Sequence, residues 1–117
     1  MPTHQEILDR LKAFRAERDW EQFHTPKDLA ISISLEASEL LEHFQWKTPE
    51  QAAQHIEQQR EEIGEEIADI ASYLFLMADD LDIDLHEAMN RKITKNESRY
   101  PAEKVRGSAA KYDQYKS

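Results

Sequence analysis

Residues 61–81, EEIGEEIADIASYLFLMADDL, set apolar side chains at helical rather than strand spacing: Ile63, Ile67, Ile70, Leu74, Met77 and Leu81. Such a segment must be an amphipathic helix whose apolar stripe is covered by other helices. Directly beside the stripe runs a band of Glu62, Glu66, Asp69, Tyr73 and Asp80, bounded on its far side by Leu76. Ala68, Ser72 and Asp79 form the expected solvent face. The carboxylates therefore lie at the margin of the core, not opposite it.

The segment 34–44, SLEASELLEHF, repeats this arrangement. Advancing about 100° per residue from Leu29 puts Ile33, Leu40 and Phe44 within roughly 60° of it. Leu41 falls near about 120°, and Ile31, Leu35 and Trp46 occupy a second apolar sector at about 200–260°. Glu36 and Glu39 fall between the sectors, with Ser32 and His43. The natural wet side is elsewhere, around Ser34, Ser38 and Gln45.

The remaining elements are set by their caps. Thr3, with Glu6 three residues on, starts a first helix carrying Ile7, Leu8, Leu11 and Phe14. RDWEQFHT interrupts the period, and Thr25-Pro26 starts a second helix expected to reach about Trp46. Thr48-Pro49-Glu50-Gln51 starts a short polar helix to about Gln59, and the periodic helix follows from about Arg60 to Leu81. Whether the two are continuous is open. Asp84 with Glu87 starts the last main helix, which RYP ends near Ser98. Residues 102–117 read as an extended tail. With 2 Gly and 4 Pro in 117 residues, the chain is all-α and suits a single domain, 1–117.

Composition removes several function classes. There is no Cys, so disulfides, zinc–thiolate sites and thiol nucleophiles are excluded. A formal net charge of −9 argues against DNA or RNA as partner. Gly64 and Gly107, the 2 glycines, cannot build a phosphate-cradling P-loop. No apolar run reaches membrane-spanning length, so no membrane partner is expected and a cytoplasmic protein is the default.

Like charges at this spacing repel, and partial burial sharpens the repulsion. Either the carboxyl pKa values rise or a cation sits among them. Oxygen donors alone suit a hard ion, Mg²⁺ first and Mn²⁺ as a substitute. A ferritin-like di-iron centre would need Glu-x-x-His, which neither Glu36–Glu39 nor Glu66–Asp69 supplies. The plain alternative is two solvated acidic faces paired with nearby Lys and Arg.

Lys92, Asn96 and Arg99 recur at i, i+4 and i+7 and share a helix face whose donors suit phosphate oxygens. Trp20 and Trp46 flank the second helix, and with His24 and Tyr73 could bind a nucleobase. Taken singly, Lys92 and Arg99 fit a solvated or ion-paired surface better, each Trp a core or interface, and His24 a satisfied loop position.

Taken together, ERDWEQFHTPKDLAISISLEASELLEHFQW, EEIGEEIADIASYL and KITKNESRYP resemble the MazG-like all-α nucleotide pyrophosphohydrolases, closest to the dCTP pyrophosphatase branch. The resemblance spans about Ile7 to Tyr112. It implies a four-helix-bundle-like fold completed by homo-oligomerisation, as dimer or tetramer. It implies Mg²⁺-dependent cleavage of a nucleoside triphosphate between the α and β phosphates, serving to cleanse the nucleotide pool. Metal binding carries over to Glu36, Glu39, Glu66 and Asp69, and base binding to Trp20, Trp46 and Tyr73, with His24 adjoining. Phosphate binding carries over to Lys92, Asn96 and Arg99, and Tyr100 also matches. Glu39, then Glu36, is the residue expected to activate water, with Lys92 stabilising developing charge. One position departs: the dCTP-cleaving branch expects a histidine where Leu11 stands, beside Lys12; this bears on the exact base preference and not on the reaction, and dCTP or a modified dCTP is the favoured substrate.

The rival is a non-catalytic helical interaction module with solvated acidic stripes. A carboxylate-bridged redox metal protein is a third reading.

Overall fold

In the computed structural model, residues 1–107 are described. Their elements are α1 (His4–Glu17), a 3₁₀ turn (Glu21–Phe23), α2 (Pro26–Glu42), α3 (Pro49–Asp80), α4 (Leu85–Arg99) and α5 (Ala102–Val105). No strand occurs among the described residues. The chain divides into two compact units, Met1–Leu81 and Asp82–Ser117.

The helix starts obey their local signals. Thr3, Thr25, Thr48 and Asp84 each cap a helix by accepting from the backbone N–H three residues on. Only Thr48 completes the reciprocal box, because the Gln51 side chain also accepts from the Thr48 N–H at 2.9 Å. Glu6 takes the Thr3 hydroxyl instead, and Glu87 takes Arg91, so neither of those boxes closes as the sequence predicts.

Ends and joins differ more. α2 stops at Glu42, not near Trp46, and residues 43–46 turn back toward α3. His43 Nδ1 and His55 Nε2, 2.7 Å apart, tie that turn to α3. The polar helix and the periodic helix form one element, Pro49–Asp80, bent at Gln59 where φ is −121° and ψ is 25°. The bend falls where the polar segment meets the periodic one. The expected extended tail starts with helical turn α5, while its residues 108–117 lie outside the described residues.

In the first unit α2 and α1 both pack on α3. The buried apolar core there is Leu8, Leu29, Ile63 and Leu76. The expected stripe of α3 is only partly buried: Ile67, Leu74 and Leu81 are exposed, and the packed face is rotated toward Leu76. On α2, Ile31, Leu35 and Leu41 are exposed as well, with Leu35 at 60 %. One chain therefore has more apolar helix surface than its own helices cover.

Leu29, 1 % exposed, anchors α2 on α3. Leu29→Ala is expected to lower the unfolding free energy by about 3 kcal/mol. Thr48→Ala, which removes a cap but no core, is expected to cost about 1 kcal/mol. Chemical denaturation of the two variants checks the order; equal losses would contradict this core.

Candidate active site

Glu36 and Glu39 stand one helical turn apart on α2, and Glu66 faces them from α3. One carboxylate oxygen from each lies within 4.8 Å of the others. Glu36 Oε2 and Glu66 Oε2 are sealed from solvent and have no hydrogen-bond partner. A buried, unpartnered carboxylate oxygen is costly, and most such atoms in folded proteins are paired.

The electrostatics report the same conflict. Glu36 is pushed up from 4.5 to about 7, first by burial and then by the neighbouring Glu39 carboxylate; Asp69 adds to the push. Glu66 is also raised, chiefly by burial and then by Glu39. Asp69 stands outside the group of mutually close oxygens and is exposed, although its charge reaches both glutamates. All donors here are oxygen, so the group fits a hard divalent cation, with two buried oxygens lacking any other partner.

A cavity of about 280 Å³ adjoins the cluster, with Glu36 and Asp69 in its wall. Its aromatic side is Phe14, Trp20, His24 and Tyr73. Their rings form a chain of contacts: Phe14 to Trp20 at 5.7 Å, Trp20 to His24 at 6.5 Å, and His24 to Tyr73 at 6.2 Å. His24 Nδ1 is buried without a partner. The loop that delivers Trp20 turns at Asp19, which adopts a left-handed φ of 55°. Gln22 Nε2 holds this turn by donating to the Asp19 carbonyl and carboxylate at 3.0 and 2.9 Å.

Trp46 does not join this group. It lies in the turn after α2, is 86 % exposed, and is absent from the cavity wall. Lys92, Asn96 and Arg99 fall on α4 and Tyr100 caps it, all in the second unit. Lys92 is exposed, while Asn96, Arg99 and Tyr100 are half-buried.

Arg15 is a cavity residue that periodicity did not single out. It is 5 % exposed and pairs end-on with Asp80, Nη1 to Oδ2 at 2.8 Å and Nη2 to Oδ1 at 2.9 Å. The guanidinium holds the Asp80 carboxyl below its usual range. The partners are far apart in sequence, so no local spacing reveals them. The only available hint is an Arg inside the apolar pattern of the first helix.

Three comparisons with known proteins agree. A model of the MazG-like family matches residues 31–114. The chain is 42 % identical to bovine dCTP pyrophosphatase 1 over 113 residues, covering 95 % of this chain and 67 % of that one. The human protein of that name is 39 % identical over the same share of this chain. This chain spans about two thirds of the length of these relatives. A pyrophosphatase of known crystal structure from Archaeoglobus fulgidus superposes with a TM-score of 0.80 at 45 % identity, over 86 % of this chain and 95 % of that chain.

Because Glu66 is raised by its surroundings, replacing it should relieve the site. Glu66→Gln is expected to leave the cation-free protein at least as stable as the wild type, while abolishing the rise in Tm on adding Mg²⁺. Thermal unfolding with and without Mg²⁺ checks this. A Glu66→Gln protein that is unfolded without cation would assign Glu66 a structural role instead.

Proposed function

Because the chain belongs to the MazG-like family and is a hydrolase of the nucleotide pyrophosphatase class, we propose that it converts a dNTP, with dCTP or a modified dCTP favoured, to dNMP and pyrophosphate in a Mg²⁺-dependent reaction. The observation that carries this reading is the adjacency of two chemistries. Glu36 belongs both to the carboxylate cluster and to the wall of the aromatic cavity. A base stacked among Trp20, His24 and Tyr73 would bring its phosphates toward the carboxylates.

Glu36, Glu39 and Glu66 would hold the divalent cation, with Asp69 at the margin. When bound, that cation supplies positive charge against the triphosphate and Lewis-acid polarisation of phosphate oxygens. Glu39 is exposed, unlike half-buried Glu36 and Glu66, and would orient the attacking water and take its proton. Glu36 is the second choice for that role. On α4, Lys92, Asn96 and Arg99, with Tyr100 at its end, would bind triphosphate oxygens, Lys92 countering charge as the α–β bond breaks.

Residues 1–117 would act as one catalytic domain of a homo-oligomer, dimer or tetramer. The exposed Ile31, Leu35, Ile67 and Leu74 support this, since such apolar area is uncommon on a lone helical chain. Trp46 would contact a base only in that assembly. Among the described residues no helix is long and apolar enough to cross a membrane. A cytoplasmic role in removing unwanted dNTPs completes the reading.

Incubation with dCTP and Mg²⁺ should yield dCMP and pyrophosphate, with nothing formed after chelation. Formation of dCDP and orthophosphate would reject α–β cleavage. Lys92→Ala should lower kcat for every nucleotide alike, since it would touch the part all triphosphates share. Trp46→Ala should raise KM roughly 5- to 150-fold and reorder the bases. If neither affinity nor ranking moves in a folded oligomer, Trp46 is an interface residue alone.

A further inference from the structure

We propose that Arg15 is a base-recognition residue, reading two adjacent hydrogen-bond acceptors on a pyrimidine: a carbonyl oxygen beside an unprotonated ring nitrogen, as in O2 and N3 of cytosine. This deepens the dNTP reading and rests on it for the place of the base.

Arg15 lines the cavity that holds Trp20, His24 and Tyr73, and it is 5 % exposed. A guanidinium carries five N–H donors and no acceptor. Asp80 occupies two of them, through Nη1 and Nη2. Nε–H is sealed from solvent and has no partner. A purely structural ion pair would satisfy its buried donors or leave them in water. Here a buried cationic fork is held rigid by Asp80 with donor capacity unused.

Leu11, one turn earlier on the same face of α1, also lines the cavity and brings no polar side-chain atom. Asp80 balances the charge of Arg15, so the cavity is set to receive a neutral base. Among the aromatic wall residues only His24 has a buried polar atom without a partner. Arg15 is therefore the cavity's buried cationic donor.

The chemical consequence is discrimination among pyrimidines. A rigid guanidinium matches two adjacent acceptors in a bidentate fashion. Uracil and thymine carry an N–H at N3, which would meet another donor. A base left with its polar groups unmatched is rejected far more strongly than one that differs by a methyl group.

The test compares wild type, Arg15→Met/Asp80→Leu and Arg15→Lys. The double variant removes both charges together, so no charge is left buried alone. Two readouts are taken: kcat/KM for dCTP and dUTP, and equilibrium binding of dCMP and dUMP without divalent cation. Wild type is expected to favour cytosine in both. In the double variant the cytosine-over-uracil ratio should fall about tenfold or more. Arg15→Lys keeps the charge beside Asp80 but loses the planar fork, and its ratio should fall as well; it decides the matter if the double variant does not fold. An unchanged ratio in a folded variant, or no cytosine preference in wild type, overturns the assignment. Failure of wild type to release pyrophosphate from any nucleotide would overturn the functional reading, while monophosphate binding would still decide the role of Arg15.

Discussion

Glu36 on α2 and Glu66 on α3 each bury a carboxylate oxygen without a hydrogen-bond partner, within reach of Glu39. Folding brings these groups together against their mutual repulsion, so other contacts must hold α2 on α3. Leu29 and Ile63 in the core, and the His43–His55 contact at the α2–α3 turn, supply that hold. The unmet electrostatics then become binding capacity: whatever divalent cation enters gains the repulsion that folding stored. The Glu36 carboxyl, raised to about 7, shows the sign of this stored energy. Since its folded pKa lies above the ordinary 4.5, the cation-free fold loses stability as pH rises through that window.

The helices divide the work around the cluster. α3 is the common support, receiving both α1 and α2. α2 and α3 aim the carboxylates, whereas α1 and the turn at Asp19 bring Arg15 and Trp20 to the adjoining cavity. The carboxylates thus come from α2 and α3, whereas the cavity also draws on α1 and the turn at Asp19, with Glu36 common to both. Such a division would let the proposed base cavity vary while the carboxylates stay fixed. Leu11 and Arg15, on one face of α1, are where such variation would act.

Much of this was legible in the sequence because it is local. Thr3, Thr25, Thr48 and Asp84 announced helix starts through capping geometry, which depends on three or four residues. The acidic margins of α2 and α3 followed from helical period alone; that Glu36, Glu39 and Glu66 come within reach of one another while Asp69 stands outside the group depends on how the two helices pack, which period does not tell. The end of α2 was not legible, since Phe44 and Trp46 prolong the apolar pattern beyond Glu42 where the chain turns. Nor was the partial burial of the α3 stripe, because periodicity tells which residues share a face and not how much of it one chain covers. The Arg15–Asp80 pair joins residues distant in sequence and leaves no spacing to read.

If the carboxylate cluster is a cation site, its protonation and cation binding exclude one another. The direct measurement is the number of protons released when Mg²⁺ binds, from calorimetry in buffers of different ionisation enthalpy across pH. With Glu36 titrating at about 7, release should be clear at about pH 6.5 and fade toward zero by about pH 8.5, where the site is already ionised. Mg²⁺ binding with no proton release at about pH 6.5, or no binding at about pH 8.5, would contradict the account.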